Sequence, residues 1–93
     1  MIDVTPEPTP NPNAFKFTLG RPSTAKRSET FRQGSDPAES PLGARIFSIC
    51  GVTNVFMAGN FVSVTKRDDV GWDELGPDVV EAIRAHFAER EPG

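Results

Sequence analysis

Two stretches of the chain alternate between apolar and polar residues, a period of two that is typical of half-buried β-strands. They are AFKFTL at 14–19 and FVSVTK at 61–66. A third apolar stretch, VTNVFM at 52–57, is separated from the second by the short loop AGN. A loop of this length that contains glycine favours a hairpin, so 52–57 and 61–66 are predicted to pair.

Two other segments lack a clear apolar period. The segment TPNPN at 9–13 is predicted to be a stiff, extended lead into the first strand, because each residue before a proline is pushed out of the helical region. In the segment 20–39, Phe31 is the only large apolar residue. We predict a weak edge strand over 28–32 that is anchored by Phe31, and an exposed, mobile loop over the rest of 20–39.

Two stretches have the apolar spacing of helices. The first is predicted over 41–49, because Ser40 is a good N-cap, Pro41 suits the first helical position and apolar residues recur at Leu42, Ile46 and Ile49. Gly51 supplies the left-handed residue that ends many helices. The second is predicted to start at Gly76-Pro77 and to end near Arg90, with Val80, Ile83 and Phe87 on its apolar face.

These elements predict an α+β fold in a single domain that spans residues 1–93. Their order is β-β-α-β-β-α. A small antiparallel sheet of about four strands, with both helices packed on one face, would bury all of the apolar stripes at once.

Composition and charge limit the possible functions. No apolar run approaches the ~20 residues that span a bilayer, and the acidic, proline-rich start is unlike a signal peptide, so we expect a cytoplasmic protein without a membrane partner. The net charge is −3, but residues 1–67 carry eight Lys/Arg and five Asp/Glu, whereas residues 68–93 carry two and eight. This acidic last quarter argues against nucleic-acid binding, which depends on phosphate neutralisation.

Few residues suggest chemistry. Cys50 is the only cysteine; it is either a redox thiol or shared metal ligand, or a small buried residue at a helix end, and we expect the second. His86 is the only histidine, and we expect it to be a packing or surface residue. Asp68 and Asp69 are predicted to be turn residues. Trp72 fits either the edge of the core or an interface.

Three stretches together resemble the N-terminal domain of Nfu/NifU-type iron–sulfur cluster scaffold proteins. They are TPNPNAFKF at 9–17, SPLGARIFSICGV at 40–52 and VFMAGNFVSVTK at 55–66, and Trp72 with GPDV at 76–79 fits the same pattern. The resemblance covers nearly the whole chain apart from residues 20–35. No single motif is catalytic, but their order and spacing are distinctive.

The resemblance implies a small α/β domain. In longer family members this domain precedes a second one, whose CxxC pair binds a cluster across a dimer and delivers it to client proteins. The 93 residues contain no CxxC pair, so we expect a stand-alone N-terminal domain without that cluster site. The role that remains is contact with a scaffold or client protein. By resemblance, Asn11, Asn13, Lys16 and Arg45 are candidates for the contact surface, although Asn11 and Asn13 would equally serve to organise their own backbone.

We therefore predict a non-catalytic protein-interaction module, accessory to iron–sulfur cluster assembly or delivery, with no cofactor, metal or catalytic site of its own. Its partner would be an iron–sulfur scaffold or client protein. The alternative is a metal or cluster carrier in which Cys50 residues from two chains hold a bridging site. The sequence leaves the oligomeric state and the identity of the partner open.

Overall fold

A computed structural model describes residues 3–23, 27–36, 38 and 40–90. These residues form a five-stranded antiparallel sheet and two helices. In chain order, the elements are β1 (Val4–Pro8), β2 (Ala14–Leu19), β3 (Ser28–Arg32), α1 (Pro41–Phe47), β4 (Val52–Ala58), β5 (Phe61–Lys66) and α2 (Trp72–Arg90). The spatial order of the strands is β1-β2-β5-β4-β3, so β1 and β3 are the two edges.

The predicted α+β class is confirmed, but the strand count of about four is wrong. The missing strand is β1, which lies before the predicted lead and pairs antiparallel with β2, with Pro6 opposite Phe17. The sequence analysis missed β1 because it contains Pro6 and Pro8, and a proline argues against a central strand. A proline is tolerated in an edge strand, where the position of the missing N–H faces solvent. The residues 9–13 are therefore a hairpin loop between β1 and β2. The weak strand predicted at 28–32 is present as β3.

One face of the sheet carries the core. Residues directly opposite each other in the register, such as Phe17 and Val62, or Val55 and Val64, point to the same face, where α1 and α2 cover them. The largest fully buried side chains come from all the layers of this core: Phe17, Ile46, Val55, Met57, Val62, Val64, Val79 and Ile83. The opposite face of the sheet, which we call the open face, has neither helix on it.

Helix α1 starts as the sequence predicted and ends earlier. Ser40 accepts a hydrogen bond from Gly43 N at 3.2 Å, as an N-cap does. The helix ends at Phe47 rather than at residue 49, and the following residues form a turn in which Gly51 has a φ of +104°. A Cβ at Gly43 would lie 2.8 Å from Phe31 Cβ, so this glycine lets α1 approach β3 and β4 closely.

Helix α2 starts four residues before the predicted Gly76-Pro77. Gly71 O accepts hydrogen bonds from the amides of Glu74 and Leu75, which closes the first turn and buries Leu75. Pro77 is thus inside the helix. The residue before a proline is disfavoured in helical conformation because its Cβ crowds the ring, and Gly76 has no Cβ, which lets the helix continue through Pro77. In the described ranges, no helix is long and apolar enough to span a membrane.

Candidate interaction surface

The loop between β1 and β2 is held in one shape by its own polar side chains. Asn13 N donates to Asn11 Oδ1 at 2.9 Å, which forms an Asx-turn, and Ala14 N donates to Asn11 O at 3.0 Å. Thr9 Oγ1 is 2.9 Å from Ala14 O across the mouth of the loop. Asn11 therefore organises its own backbone, one of the two roles that the sequence left open.

Asn13 joins this loop to the far end of the chain. Its Oδ1 accepts a hydrogen bond of 3.1 Å from Lys66 Nζ, its Nδ2 donates to Asp68 Oδ1, and its carbonyl accepts from Lys66 N at 2.8 Å. Lys66 is only 8% exposed, so its ammonium depends on Asn13 Oδ1 and on Arg67 O, which accepts from it at 3.2 Å. Asn13 thus fixes the position of the loop against the end of β5.

Trp72 continues the same contact zone. Its Nε1 donates to Pro12 O at 3.1 Å, and its ring centroid lies 5.1 Å from that of Phe15 and 6.3 Å from that of Phe17. The side chain is half-buried. Trp72 therefore covers the edge of the core, one of the two roles that the sequence left open, and leaves part of its ring at the surface. A contact of Trp72 with a partner stays a prediction.

An apolar groove lies beside Trp72, between the first hairpin and the first half of α2. Its volume is about 370 Å³, and its walls are almost entirely apolar. It is lined by Pro6, Phe15, Phe17, Trp72, Gly76, Pro77 and Val80. A Cβ at Gly76 would meet nothing within 4 Å, so the helix leaves open space at that position. We call this feature the Trp72 groove.

A larger depression of about 510 Å³ lies at the opposite end of β2, where Arg21 and Arg27 border it. It is wide open to solvent, whereas the Trp72 groove is more enclosed. Recognition sites are typically concave and apolar with few polar groups, which favours the Trp72 groove as the candidate site.

Lys16 does not face this groove. Its Nζ lies 4.9 Å from the centroid of the Phe61 ring on the open face, and Phe61 in turn packs 6.1 Å from Phe56. On the same face, Thr18 Oγ1 is 2.5 Å from Glu7 Oε2. Lys16 therefore lies close to the loop in sequence but on the other side of the sheet from Trp72.

Arg45 is on the helix-covered side. Its Nη1 lies 2.5 Å from Glu89 Oε2, and this ion pair links α1 to α2. The four predicted contact residues thus do not form one surface: Asn11 and Asn13 share the loop, whereas Lys16 and Arg45 lie on opposite faces of the sheet. Whether any of the four touches a partner stays a prediction.

The residues that the sequence singled out for possible chemistry lie in turns or pack against other side chains. Cys50 is exposed, so the expectation of a buried thiol is wrong; because α1 ends at Phe47, residue 50 lies in the turn after the helix. His86 is 7% exposed and packs edge-to-face on Phe87 at 4.9 Å, in line with the packing role expected for it. Asp69 accepts hydrogen bonds from Arg67 at 3.1 and 3.2 Å, and Asp68 accepts from Asn13, as turn residues.

The Trp72 groove was not predicted from the sequence. Its lining comes from residues up to seventy-four positions apart, and Pro6 and Gly76 are not core residues by type. One signal was available: Val80 and Pro77 lie to one side of the buried stripe of α2, on which Trp72 itself lies, and they widen its apolar face. Finding that signal required the helix to start at Trp72.

Comparisons with known proteins agree with the fold. The family described as "Scaffold protein Nfu/NifU N terminal" matches residues 4–90. Among solved structures, protein SAV1430 from Staphylococcus aureus is 28% identical, has a TM-score of 0.74, and the match covers 85% of this chain and 95% of that one. A NifU-like protein from Saccharomyces cerevisiae superposes with a TM-score of 0.81 at 23% identity, covering 95% of this chain and 80% of that one, which shows the fold alone.

Curated relatives are longer. NifU-like protein 5, mitochondrial, of Arabidopsis thaliana is 39% identical over 84 residues, which cover 90% of this chain and 30% of the relative. The human NFU1 iron-sulfur cluster scaffold homolog, mitochondrial, is 38% identical over 85 residues, which cover 90% and 34%. The chain thus spans about a third of the length of these relatives. The resemblance noted in the sequence is confirmed.

Proposed function

This chain belongs to the Nfu/NifU N-terminal family, and on that premise we propose that it is a non-catalytic interaction module that contacts a scaffold or client protein during iron–sulfur cluster assembly or delivery. The observation that carries the proposal is the Trp72 groove: an apolar recess with half-buried aromatic walls, held beside a loop that its own hydrogen bonds make rigid. A preformed recess of this kind lowers the entropy lost on binding. A cytoplasmic location stays a prediction.

The test is a cluster-transfer reaction with purified components. A cluster-loaded scaffold protein and an apo-ferredoxin are mixed with and without this chain, the transfer rate is read from visible absorbance, and binding to each component is measured by calorimetry. We expect saturable binding to the scaffold or the client, together with a changed transfer rate. The proposal would be contradicted if the chain bound no cluster-assembly protein of the source cell and left every transfer rate unchanged.

A matched pair of variants locates the contact. Val80→Lys introduces a charge at the wall of the Trp72 groove, and Ala88→Lys introduces the same charge at an exposed position of the same helix. Loss of binding in the first variant and not in the second would assign the contact to the groove. If both variants bind the partner as tightly as the native chain, the proposed interaction stands but its surface lies outside the groove.

The exposure of Cys50 favours keeping the carrier as a second candidate, since two exposed thiols are free to approach each other across a dimer. One thiolate per chain is few, because structural metal and cluster sites take about four ligands. Among the described residues, no three His, Cys, Asp or Glu side chains cluster in a way that would hold a metal. Anaerobic reconstitution with iron and sulfide distinguishes the two: stoichiometric colour that Cys50→Ser abolishes would make the chain a carrier.

A further inference from the structure

We propose that the Trp72 groove takes a short segment of the partner that carries one or two large apolar side chains flanked by Lys or Arg. This inference rests on the proposed function and adds the chemistry of the partner. It follows from the shape of the groove, from the charge beside it and from the backbone at its border.

The apolar part of the segment follows from the lining. Phe15, Trp72 and Val80 are half-buried, so part of each side chain faces the recess. The volume of about 370 Å³ lies at the lower end of the range typical of binding sites, roughly 300–1,000 Å³. That space suits one or two bulky side chains rather than a whole folded surface. Burying such anchors in a preformed recess is the pattern of interface hot spots.

The basic flanks follow from the charge of α2. Between Asp68 and Ile83 the chain carries six carboxylates and no Lys or Arg. Four of these carboxylates are exposed on the helix that forms one wall of the groove: Asp73, Glu74, Asp78 and Glu81. The helix macrodipole adds only about half a positive charge at this end, so the carboxylates set the sign of the local field. A segment with Lys or Arg beside its apolar anchors complements that field.

The backbone at the border directs recognition to side chains. The groove is bordered by β1, an edge strand in which Pro6 and Pro8 have no N–H to donate. A partner strand added at this edge would miss two of its ladder bonds, which makes strand addition a poor mode here. A second copy of this chain is disfavoured as well, because a symmetric pair would bring two acidic α2 faces together.

Selection of peptides tests the chemistry directly. A random peptide library is displayed on phage, selected on the native chain and counter-selected on Val80→Lys. We expect the recovered sequences to share one or two large apolar residues flanked by Lys or Arg. Uncharged or acidic flanks would overturn the charge part of the inference. Failure to recover any peptide that discriminates the native chain from Val80→Lys would overturn the groove as the site.

Trp72 supplies the reporter for affinity, since it is the only tryptophan and lines the groove. The synthesised consensus peptide should shift its emission and saturate. Val80→Lys should weaken binding by about tenfold or more, and Ala88→Lys should leave it unchanged. Should Val80→Lys lose its fold, as read by circular dichroism, Pro77→Lys replaces it, because Pro77 is exposed and removing a proline from a helix interior does not weaken the helix.

Two charge-changing variants test the basic flanks, and light scattering tests whether the groove is an interface between copies of this chain. Glu81 follows Val80 and lies one turn after Pro77, so it is beside the groove. Glu81→Lys should weaken peptide binding several-fold, whereas Ser28→Lys with Thr30→Lys, the same charge change at the far edge of the sheet, should not. An equal loss of peptide affinity in both variants would show only a general attraction between opposite charges, and it would overturn the inference of basic flanks beside the groove. If light scattering shows a native dimer that Val80→Lys dissociates, the groove is a self-interface and the inference fails. If a cluster-assembly protein binds Val80→Lys as tightly as the native chain, the proposed function stands and this inference falls.

Discussion

Lys66 Nζ donates a hydrogen bond of 3.1 Å to Asn13 Oδ1, across 53 positions of the chain. Lys66 is the last residue of β5 and is 8% exposed, whereas Asn13 ends the loop before β2. This contact ties the first hairpin to the turn that leads into α2. The first hairpin and α2 form the two walls of the Trp72 groove, and Trp72 Nε1 adds a second hydrogen bond between them, to Pro12 O at 3.1 Å.

Removal of the Asn13 side chain should destabilise the protein. Asn13→Ala withdraws an acceptor from the buried ammonium of Lys66 and a donor from Asp68. Leaving a buried polar group unsatisfied costs about 1–3 kcal/mol, and we expect a fall of that size in the free energy of unfolding measured with urea. Asn11→Ala, which removes only the exposed Asx-turn acceptor, should cost less than about 1 kcal/mol. An equal loss in both variants would contradict the special role of Asn13.

Gly43→Ala should destabilise the contact of α1 with the sheet. Its Cβ would lie 2.8 Å from Phe31 Cβ and 3.0 Å from Met57 Cε, so the helix has to move. Overpacking of this kind typically costs about 1–3 kcal/mol, which thermal and urea unfolding would detect. The matched control is Gly20→Ala, where the nearest atom is 3.7 Å away; it should be nearly neutral. A neutral Gly43→Ala would show that α1 adjusts freely.

The ion pair between Arg45 and Glu89 should be weak and sensitive to salt. Both side chains are more than a third exposed, and exposed pairs contribute about 0.2–1 kcal/mol. A double-mutant cycle with Arg45→Met and Glu89→Gln, in low and high salt, measures the coupling. We expect a value in that range that falls as salt rises. A coupling above about 2 kcal/mol would mean that the pair is more desolvated than its exposure indicates.

Cys50 should react in the folded protein. Because the side chain is exposed, Ellman's reagent should label about one thiol per chain without denaturant, and Cys50→Ser should abolish the reaction. The same substitution should change the free energy of unfolding by less than about 0.5 kcal/mol, as is usual at the surface. A thiol that reacts only after unfolding would restore the buried assignment made from sequence.

The elements with a strong local signal could be predicted from the sequence. The alternation in 14–19 and 61–66 and the Ser40-Pro41 cap gave β2, β5 and the start of α1, because in these places the local propensity agrees with the tertiary contacts. The errors fall where tertiary contacts override a local breaker. β1 carries two prolines that are tolerated only because the strand is an edge, and α2 passes through Pro77 because Gly76 precedes it.

The candidate site could be predicted only in part. The loop 9–13 was singled out, and the structure gives Asn11 and Asn13 definite hydrogen-bond partners there. Lys16 and Arg45 entered by resemblance alone. The alternation in 14–19 already places Lys16 on the polar face of β2, whereas Arg45 belongs to a helix predicted on the apolar face, so the sequence itself argued against one shared surface. The groove itself depends on the packing of β1 and β2 against α2, a long-range relationship that no period in the sequence encodes.

The prolines of β1 also bear on how the protein behaves at high concentration. Linear aggregates of sheet proteins grow when each molecule offers an adhesive strand at both ends, so that every addition exposes a fresh template. Here β3 contains no proline, whereas Pro6 and Pro8 deprive the β1 edge of two donors. Two molecules that paired through their β3 edges would expose only β1 edges at both ends. Because these edges lack two donors, we expect further strand addition to stop there, so that fibres do not grow.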